Sequence, residues 1–388
     1  MMRRSVPLSL ILLFTLLLRP VWAEGDWEIT DESETALKRG IEWLARNQGT
    51  DGNWDSNDLG LVSMGALAFM AAGHSPGRGK YGSNVKRALD YVVNKAKPSG
   101  LLNSADAQRD MYNHGLATFV LGQAHGMTSG QDRRLNTTLD KALKLITNTQ
   151  CEDGGWDYRA KRQDRGHDLS LAVMQAKALR SAVDSGLEVP PEVIDMAIRS
   201  VREHYSARGV GREAPETEQQ KVSGMFTYAK GGGGGTIAMA AAGVVCLQEL
   251  GQYDDWRIEK NMDYLSEMIK QQKAKKPNGR NGTMPFDAYT LYYLGQAIYQ
   301  VGGPQWEVNY PVLRDFLAAS QKVDANTPSE HGCWNDLGAT GGGRVGGKPG
   351  QLYGTSVACF ILAIPNRYLP ILQEGKIESL KKKFGTTQ

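Results

Sequence analysis

Histidine and cysteine are scarce, at six and four of 388 residues. His331-Gly332-Cys333 is the only close pairing of the two, and a structural zinc site usually needs four ligands. No metal and no cofactor are therefore expected. Excess charge is also missing. Lys plus Arg is 45 against 42 for Asp plus Glu, and Arg3, Arg4 and Arg19 account for the difference of three within the first 23 residues. From Glu24 onward the chain is neutral, which gives no electrostatic case for nucleic acid or an anionic membrane surface. Long apolar runs are absent after the first, Val6 to Leu18, which is shorter than the roughly 20 residues a spanning helix needs. That run follows the basic pair Arg3-Arg4 and precedes Val21-Trp22-Ala23. Residues 1–23 are thus expected to be a signal peptide cleaved after Ala23, with export to the periplasm or medium. No Cys follows that cleavage site, which speaks against a lipoprotein anchor. Two nucleophile and phosphate signatures are missing as well: no Gly-x4-Gly-Lys-Ser/Thr loop and no Gly-x-Ser-x-Gly elbow occurs.

What the chain does contain is a repeat. Gln48, Gly52 and Trp54 recur with the same spacing as Gln150, Gly154 and Trp156, and Gly332-Cys333-Trp334 keeps the end of the signature after Gln321. Gly224-Met225-Phe226 keeps only glycine and an aromatic residue. Each full copy stands between an amphipathic stretch and an apolar one rich in Ala and Gly, the pattern of helix pairs joined by a turn. Leu135, Leu139, Ala142, Leu143 and Ile146 show the amphipathic period, as do Ile258, Met262, Leu265 and Ile269. A capping box, Asp31-x-x-Glu34, is expected to open the first such stretch, and Pro190-Pro191 opens the fourth. The apolar stretches begin near residues 59, 112, 169, 236, 288 and 353. Helices without a polar face belong between neighbours. The order is amphipathic then apolar, six times, which predicts an all-α fold: an (α/α)6 toroid of six parallel inner helices ringed by six outer ones. The expected organisation is a lead-in over 24–33, one toroid over 34–365 and a polar tail over 366–388 that includes Lys381-Lys382-Lys383. In such a ring no two cysteines are adjacent, so free thiols are expected. Asn136-Thr137-Thr138 and Asn281-Gly282-Thr283 match glycosylation sequons, a pattern common by chance.

These turns feeding apolar inner helices resemble the repeats of the terpene cyclase and protein prenyltransferase α/α-toroid superfamily, over about Glu34 to Pro365. The Gln amide and Trp ring are read as structural, linking helix ends and covering the turn. The resemblance implies chemistry that the residues do not carry. Squalene–hopene cyclases use an Asp-x-Asp-Asp-Thr-Ala run, and here His167-Asp168-Leu169-Ser170 offers a single Asp. Without a neighbouring carboxyl, Asp168 is expected to be an ordinary anion. The Asp-x-Cys zinc pair of prenyltransferase beta subunits and the Gly-Cys-Gly-Glu-Gln of thioester domains are missing too.

Six parallel helix N-termini at one mouth would favour polar or anionic ligand groups. Residues expected there are Tyr112, Asn113 and His114; His167, Asp168 and Ser170; Phe286, Asp287 and Tyr289; and Tyr353 with Thr355. Asp168, Asp287 and His114 are the catalytic candidates, although both Asp also suit helix caps and His114 also suits a core role. Tyr112, Asn113, His167, Ser170, Tyr289 and Tyr353 are candidate ligand contacts, while Tyr292, Tyr293, Tyr299 and Phe119 are candidates for the lumen wall. Two long connections, Ala207–Gly235 and Asp336–Gln351, are expected near the mouth or rim. The reading adopted is an exported toroid that binds a ligand or partner without catalysis, the ligand being an apolar small molecule, a glycan or a protein. Two alternatives stay open: a degenerate cyclase with an isoprenoid in the lumen, and a secreted polysaccharide lyase or hydrolase using Asp168 and Asp287.

Overall fold

The computed structural model describes residues 27–232, 235–274, 286–335 and 347–373. The expected signal peptide, the Asn281 sequon, Lys381-Lys382-Lys383 and the connection over 336–346 lie outside the described residues. Among the described residues the α-helices are, in order, α1 (Asp31–Asn47), α2 (Leu59–Ala71), α3 (Gly82–Asn94), α4 (Asp110–Met127), α5 (Arg133–Thr149), α6 (Leu169–Asp184), α7 (Pro191–Arg202), α8 (Glu216–Gln219), α9 (Ile237–Glu249), α10 (Trp256–Ala274), α11 (Ala288–Val301), α12 (Gly303–Ser320), α13 (Gly347–Ala363) and α14 (Pro370–Gln373). Helices α2, α4, α6, α9, α11 and α13 each touch the next, and α13 touches α2. The inner ring is therefore closed, as the repeat predicts. An open solenoid would leave α2 and α13 apart.

The outer helices bury one stripe each. On α5 the buried side chains include Leu135, Leu139, Ala142, Leu143 and Ile146, and Asp132 caps it through the Arg134 and Leu135 amides at 3.0 and 3.1 Å. The inner helices are buried nearly all round, as in α2 and α9. Glycine inside a helix costs about 1 kcal/mol relative to alanine, yet Gly65 and Gly243 are required. A Cβ on Gly65 would lie 2.5 Å from the Trp54 ring, and one on Gly243 would lie 2.2 Å from the Phe226 ring. Phe226 thus fills in the fourth pair the seat that Trp54 fills in the first.

Three corners share one set of bonds. Gln48 donates to the Gly52 carbonyl (3.0 Å) and to Asn84 on α3 (2.9 Å). Gln150 donates to Gly154 (3.0 Å) and to Val193 on α7 (2.9 Å). Gln321 donates to Gly332 (3.0 Å) and to Ala36 on α1 (2.8 Å), so the third clamp ties the last outer helix to the first. The indoles of Trp54, Trp156 and Trp334 donate to Leu44, Ile146 and Leu317 at 2.8 to 2.9 Å. Gly52, Gly154 and Gly332 have φ of 103°, 82° and 98°. A fourth corner has the same backbone bonds but neither the amide nor the indole. The Lys97 amide donates to Leu101, and Gly100, with φ 92°, packs on the Lys141 carbonyl. Ala96 and Leu102 stand there in place of Gln and Trp.

Several boundaries differ from the sequence expectation. The capping box is Thr30 with Ser33, because Thr30 Oγ1 reaches the Ser33 amide and Ser33 Oγ returns to the Thr30 amide. The segment before α1 is not idle. Glu28 is buried, accepts from the Trp306 indole and pairs with Arg367 at 3.0 Å. The packed body also continues past Pro365, since Leu369, Ile371 and Leu372 are buried and the Ile371 amide donates to Gln123 (3.0 Å). Helix α13 starts at Gly347, ahead of the expected Tyr353. Finally, the connection after α7 is not structureless. Strands β1 (Tyr205–Ala207) and β2 (Gly224–Phe226) pair antiparallel, with Tyr205 opposite Phe226. Asn261 on α10 holds the Phe226 amide (3.1 Å), and Tyr205 packs edge-on against Phe226 and Trp256. Those contacts are distant in sequence and leave no local signal.

The four cysteines are free and buried. Among the described residues no helix is long and apolar enough to cross a membrane.

Candidate functional site

Each corner turn delivers the chain to the start of an inner helix, so the inner N-termini gather at one pole. Asp58, Asp168, Thr236 and Asp287 cap α2, α6, α9 and α11 through their side chains. Asp168 is the most heavily engaged. Its Oδ1 accepts from the Leu171 amide (3.2 Å) and from Ser170 Oγ, and its Oδ2 accepts from Tyr158 Oη (2.5 Å) and faces His167 Nδ1 (3.2 Å). Tyr158 also shares a hydrogen bond with Tyr228. Burial first, then the bonds to Asp168 and Tyr228, push the Tyr158 phenol well above its ordinary value. It is a fixed neutral donor to the carboxylate.

Tyrosines surround this carboxylate. Tyr112 and Tyr158 stack with ring centroids 6.4 Å apart, and Tyr158 lies 4.5 Å from the His167 ring. Tyr112 and Tyr289 share a hydrogen bond at 3.2 Å across the pole. Tyr353 lies near Tyr289 and Tyr293. Burial raises the Tyr112 phenol well above its usual value. Tyr228 is 40% exposed and His167 is also exposed, so the rim of the group faces solvent.

The remaining candidates make structural contacts. Asp287 accepts from the Thr290 amide (2.7 Å) and hydroxyl (3.1 Å), a cap on α11. Asn113 donates to Asn103 (2.9 Å) and packs under Gly60 of α2. His114 is fully buried, with Nδ1 accepting from the Leu102 amide (3.1 Å) and Nε2 on the Ala142 carbonyl (3.0 Å). Burial lowers its pKa to about 4. It bridges α4 to α5 and to the degenerate corner, away from the open pole. Thr355 accepts from the Trp334 amide (3.0 Å) and so belongs to the third corner. Tyr299 donates to Leu372 (2.5 Å) at the far pole. Tyr158 and Tyr228 carry no periodic or spacing signal, since both sit in loops.

The centre of the ring is occupied. Lys177 on α6 crosses it to Glu249 on α9 (3.0 Å) and to Gln296 on α11, with its ammonium 4.3 Å from the Phe119 ring centroid. Above it Tyr292 packs on Phe360 (5.8 Å) and Tyr293 (5.3 Å), and Tyr293 packs on Tyr289 (4.9 Å). Buried side chains of α4, α6, α9, α11 and α13 thus meet inside the ring. Beside the mouth, between the 153–167 loop and the β1–β2 hairpin, opens a cavity of about 760 Å3. Among the described residues no group of three or more His, Cys, Asp or Glu is placed to hold a metal ion.

No protein-family model matches the chain, and no curated protein matches it in sequence. Solved structures do match. An inactive variant of the α-1,6-mannanase GH76A of Salegentibacter sp. HEL1_6, in complex with α-1,6-mannotriose, superposes with TM-score 0.51 at 12% identity, over 86% of this chain and 99% of that one. A variant of the type II terpene cyclase MstE from Scytonema, in complex with geranylgeranyl dihydroxybenzoate, gives TM-score 0.54 at 12% identity, over 87% and 98%. A glycosyl hydrolase family 88 protein from Bacteroides vulgatus gives 0.51 at 11% identity, over 87% and 99%. At such identities the likeness is one of fold, the α/α toroid.

Proposed function

We propose that this chain is an exported, non-catalytic binding module and that its ligand is a glycan seated on the tyrosine-rich mouth. The observation that carries this reading is the Asp168 cluster. Tyr158, Tyr228, Ser170 and His167 surround one carboxylate, and the rings of Tyr112, Tyr158 and His167 lie beside it. A sugar offers hydroxyls to such acceptors and donors and an apolar face to the rings. The same ring architecture in the Salegentibacter mannanase is seen with mannotriose.

Two features argue against the alternatives. Glycoside hydrolysis needs two carboxyls flanking the scissile bond, one as acid and one as base or nucleophile. At this mouth both oxygens of Asp58, Asp110, Asp168 and Asp287 are engaged within the protein. An isoprenoid in the lumen needs an apolar chamber, and here the buried Lys177 ammonium with Glu249 and Gln296 lies among the inner helices.

The test is calorimetric titration of the mature chain with a panel of neutral and acidic oligosaccharides, with mass spectrometry of the ligand afterwards. Binding is expected with the ligand recovered intact, and Tyr228→Ala should weaken it about tenfold, as losing a stacking ring and a hydroxyl contact implies. Recovery of shortened oligosaccharide would replace this reading with hydrolysis. A co-purified isoprenoid in native mass spectrometry would replace it with the cyclase alternative. An N-terminus other than Glu24 on the exported protein would remove the proposed processing.

A further inference from the structure

The geometry points to an anion subsite in the cavity beside the mouth, one that takes a sulfate, phosphate or carboxylate group. Five permanent cations line it: Arg165, Arg202, Arg212, Lys230 and Arg257. Three of them are paired. Lys230 is held by Asp153 (2.6 Å) and Glu203 (3.0 Å), Arg202 by Asp255 (2.8 Å), and Arg257 by Asp255 (3.0 Å) and Glu216 (2.5 Å). Arg165 and Arg212 have no acidic partner among the described residues, and of the four carboxylates on the lining only Glu213 is left unengaged. Two guanidiniums on separate loops therefore line one cavity unpaired, with Glu213, next to Arg212 in sequence, the single free carboxylate beside them. A guanidinium presents a planar fork of donors suited to oxyanions.

An independent observation marks the wall. Tyr205 and Arg257 line the same cavity, and the Tyr205 hydroxyl and Arg257 Nε are buried without a hydrogen-bond partner. Tyr205 is only 2% exposed and Arg257 5%. Unmatched buried donors are costly, so an acceptor that reached this wall would relieve both. The frame is also preset. Asp153 Oδ1 accepts from the Gly155 and Gly166 amides at 3.0 and 2.8 Å while its Oδ2 holds Lys230, which fixes the loop carrying Arg165. His167 belongs to both the cavity lining and the Asp168 cluster, so an anion bound here lies next to the mouth. That this anion is a substituent of the mouth's ligand rests on the glycan reading; the anion subsite itself does not.

The experiment uses inorganic phosphate and inorganic sulfate as probes, titrated into the mature chain by calorimetry and by thermal shift at constant ionic strength. Phosphate or sulfate is expected to bind and raise Tm. The double variant Arg165→Ala, Arg212→Ala should weaken that binding about tenfold or more, the loss of charge-assisted bonds. Tyr228→Ala should leave it unchanged. Absence of binding at tens of millimolar of either ion overturns the subsite, as does equal binding by the double variant and the parent. If the double variant loses acidic oligosaccharides but keeps neutral ones, anion and glycan sites are one continuous surface. If Tyr228→Ala loses phosphate as well, the cavity is not a separate subsite and the proposal fails. Loss of oligosaccharide binding with phosphate retained counts against the glycan reading alone.

Discussion

Replacing Gly154 with alanine tests the corner geometry where it is tightest. Gly154 has φ 82°, and a Cβ there would lie 2.0 Å from the Met196 carbonyl oxygen on α7. Two costs follow. A side chain in the left-handed region costs roughly 1–2 kcal/mol, and forcing the added methyl against a packed backbone costs typically about 1–3 kcal/mol more. Relief requires α7 to move outward, which stretches the bond from Gln150 to the Val193 carbonyl. The expected loss is therefore about 3 kcal/mol. Gly186→Ala is the matched control. Gly186 has φ 78° but nothing within 4 Å of its would-be Cβ, so only the dihedral cost remains, offset by about 0.4–1 kcal/mol from the stiffer unfolded chain. Urea unfolding followed by far-ultraviolet circular dichroism should separate the two by about 2 kcal/mol. In thermal scans that gap is small, about 3 °C, because the unfolding entropy of so long a chain is large. Equal destabilisation by the two alanines would refute the idea that close approach of turn to helix, rather than the dihedral alone, demands glycine at these corners.

The remaining predictions concern buried charge. Lys177→Met leaves Glu249 without its ammonium partner and should cost about 3–5 kcal/mol, whereas combining it with Glu249→Gln should recover most of that loss; the same urea titration reads both, and a double variant as unstable as the single one sinks the argument. His114 and His204 have pKa values lowered to about 4, in both cases chiefly by burial. In the unfolded chain they titrate near 6.5. Between those values the unfolded state binds more protons, so stability is full above about pH 6.5 and falls as pH drops towards 4. The loss should reach about 3 kcal/mol for each histidine. Urea midpoints measured across that interval check it, and His114→Gln should flatten the slope; an unchanged slope removes His114 as a contributor.

How much of this was legible depends on how many residue types can do a given job. Gln48, Gln150 and Gln321 each serve two backbone carbonyls with one amide nitrogen, and Gly52, Gly154 and Gly332 each combine a positive φ with contact against a neighbouring helix. Few side chains do either, so the letters repeat. At Ala96, Gly100 and Leu102 the turn keeps its shape through backbone bonds alone, and only the glycine remains to be read. Most inner helix starts were legible from apolar runs, which placed Tyr112, Asp168, Ser170, Asp287 and Tyr289 at one pole, whereas α13 begins at Gly347, ahead of the expected Tyr353. His114 was placed there by the same logic, but two residues beyond Tyr112, about 200° round the helix, it points outward to α5. Lys177 sits within an apolar run, and its partner Glu249 is 72 residues away. No local pattern announces such a pair.

The corners and the mouth are not separate systems. Each corner lies at the C-terminal end of an outer helix and leads into an inner one, so the repeat rings the pole where Asp168 sits. In the third pair the link is direct: the His167 amide donates to the Trp156 carbonyl at 2.8 Å. Trp156 is anchored in turn by its indole to Ile146. The residue that marks the fold therefore sets the position of the residue beside the candidate carboxylate, through a single backbone bond. The repeat signature stays readable because it builds the rim, whereas Tyr158 and Tyr228, the side chains beside the carboxylate, are set by loops of no fixed period. A rigid rim with variable contents is the arrangement expected when binding residues sit on loops that a scaffold holds in place.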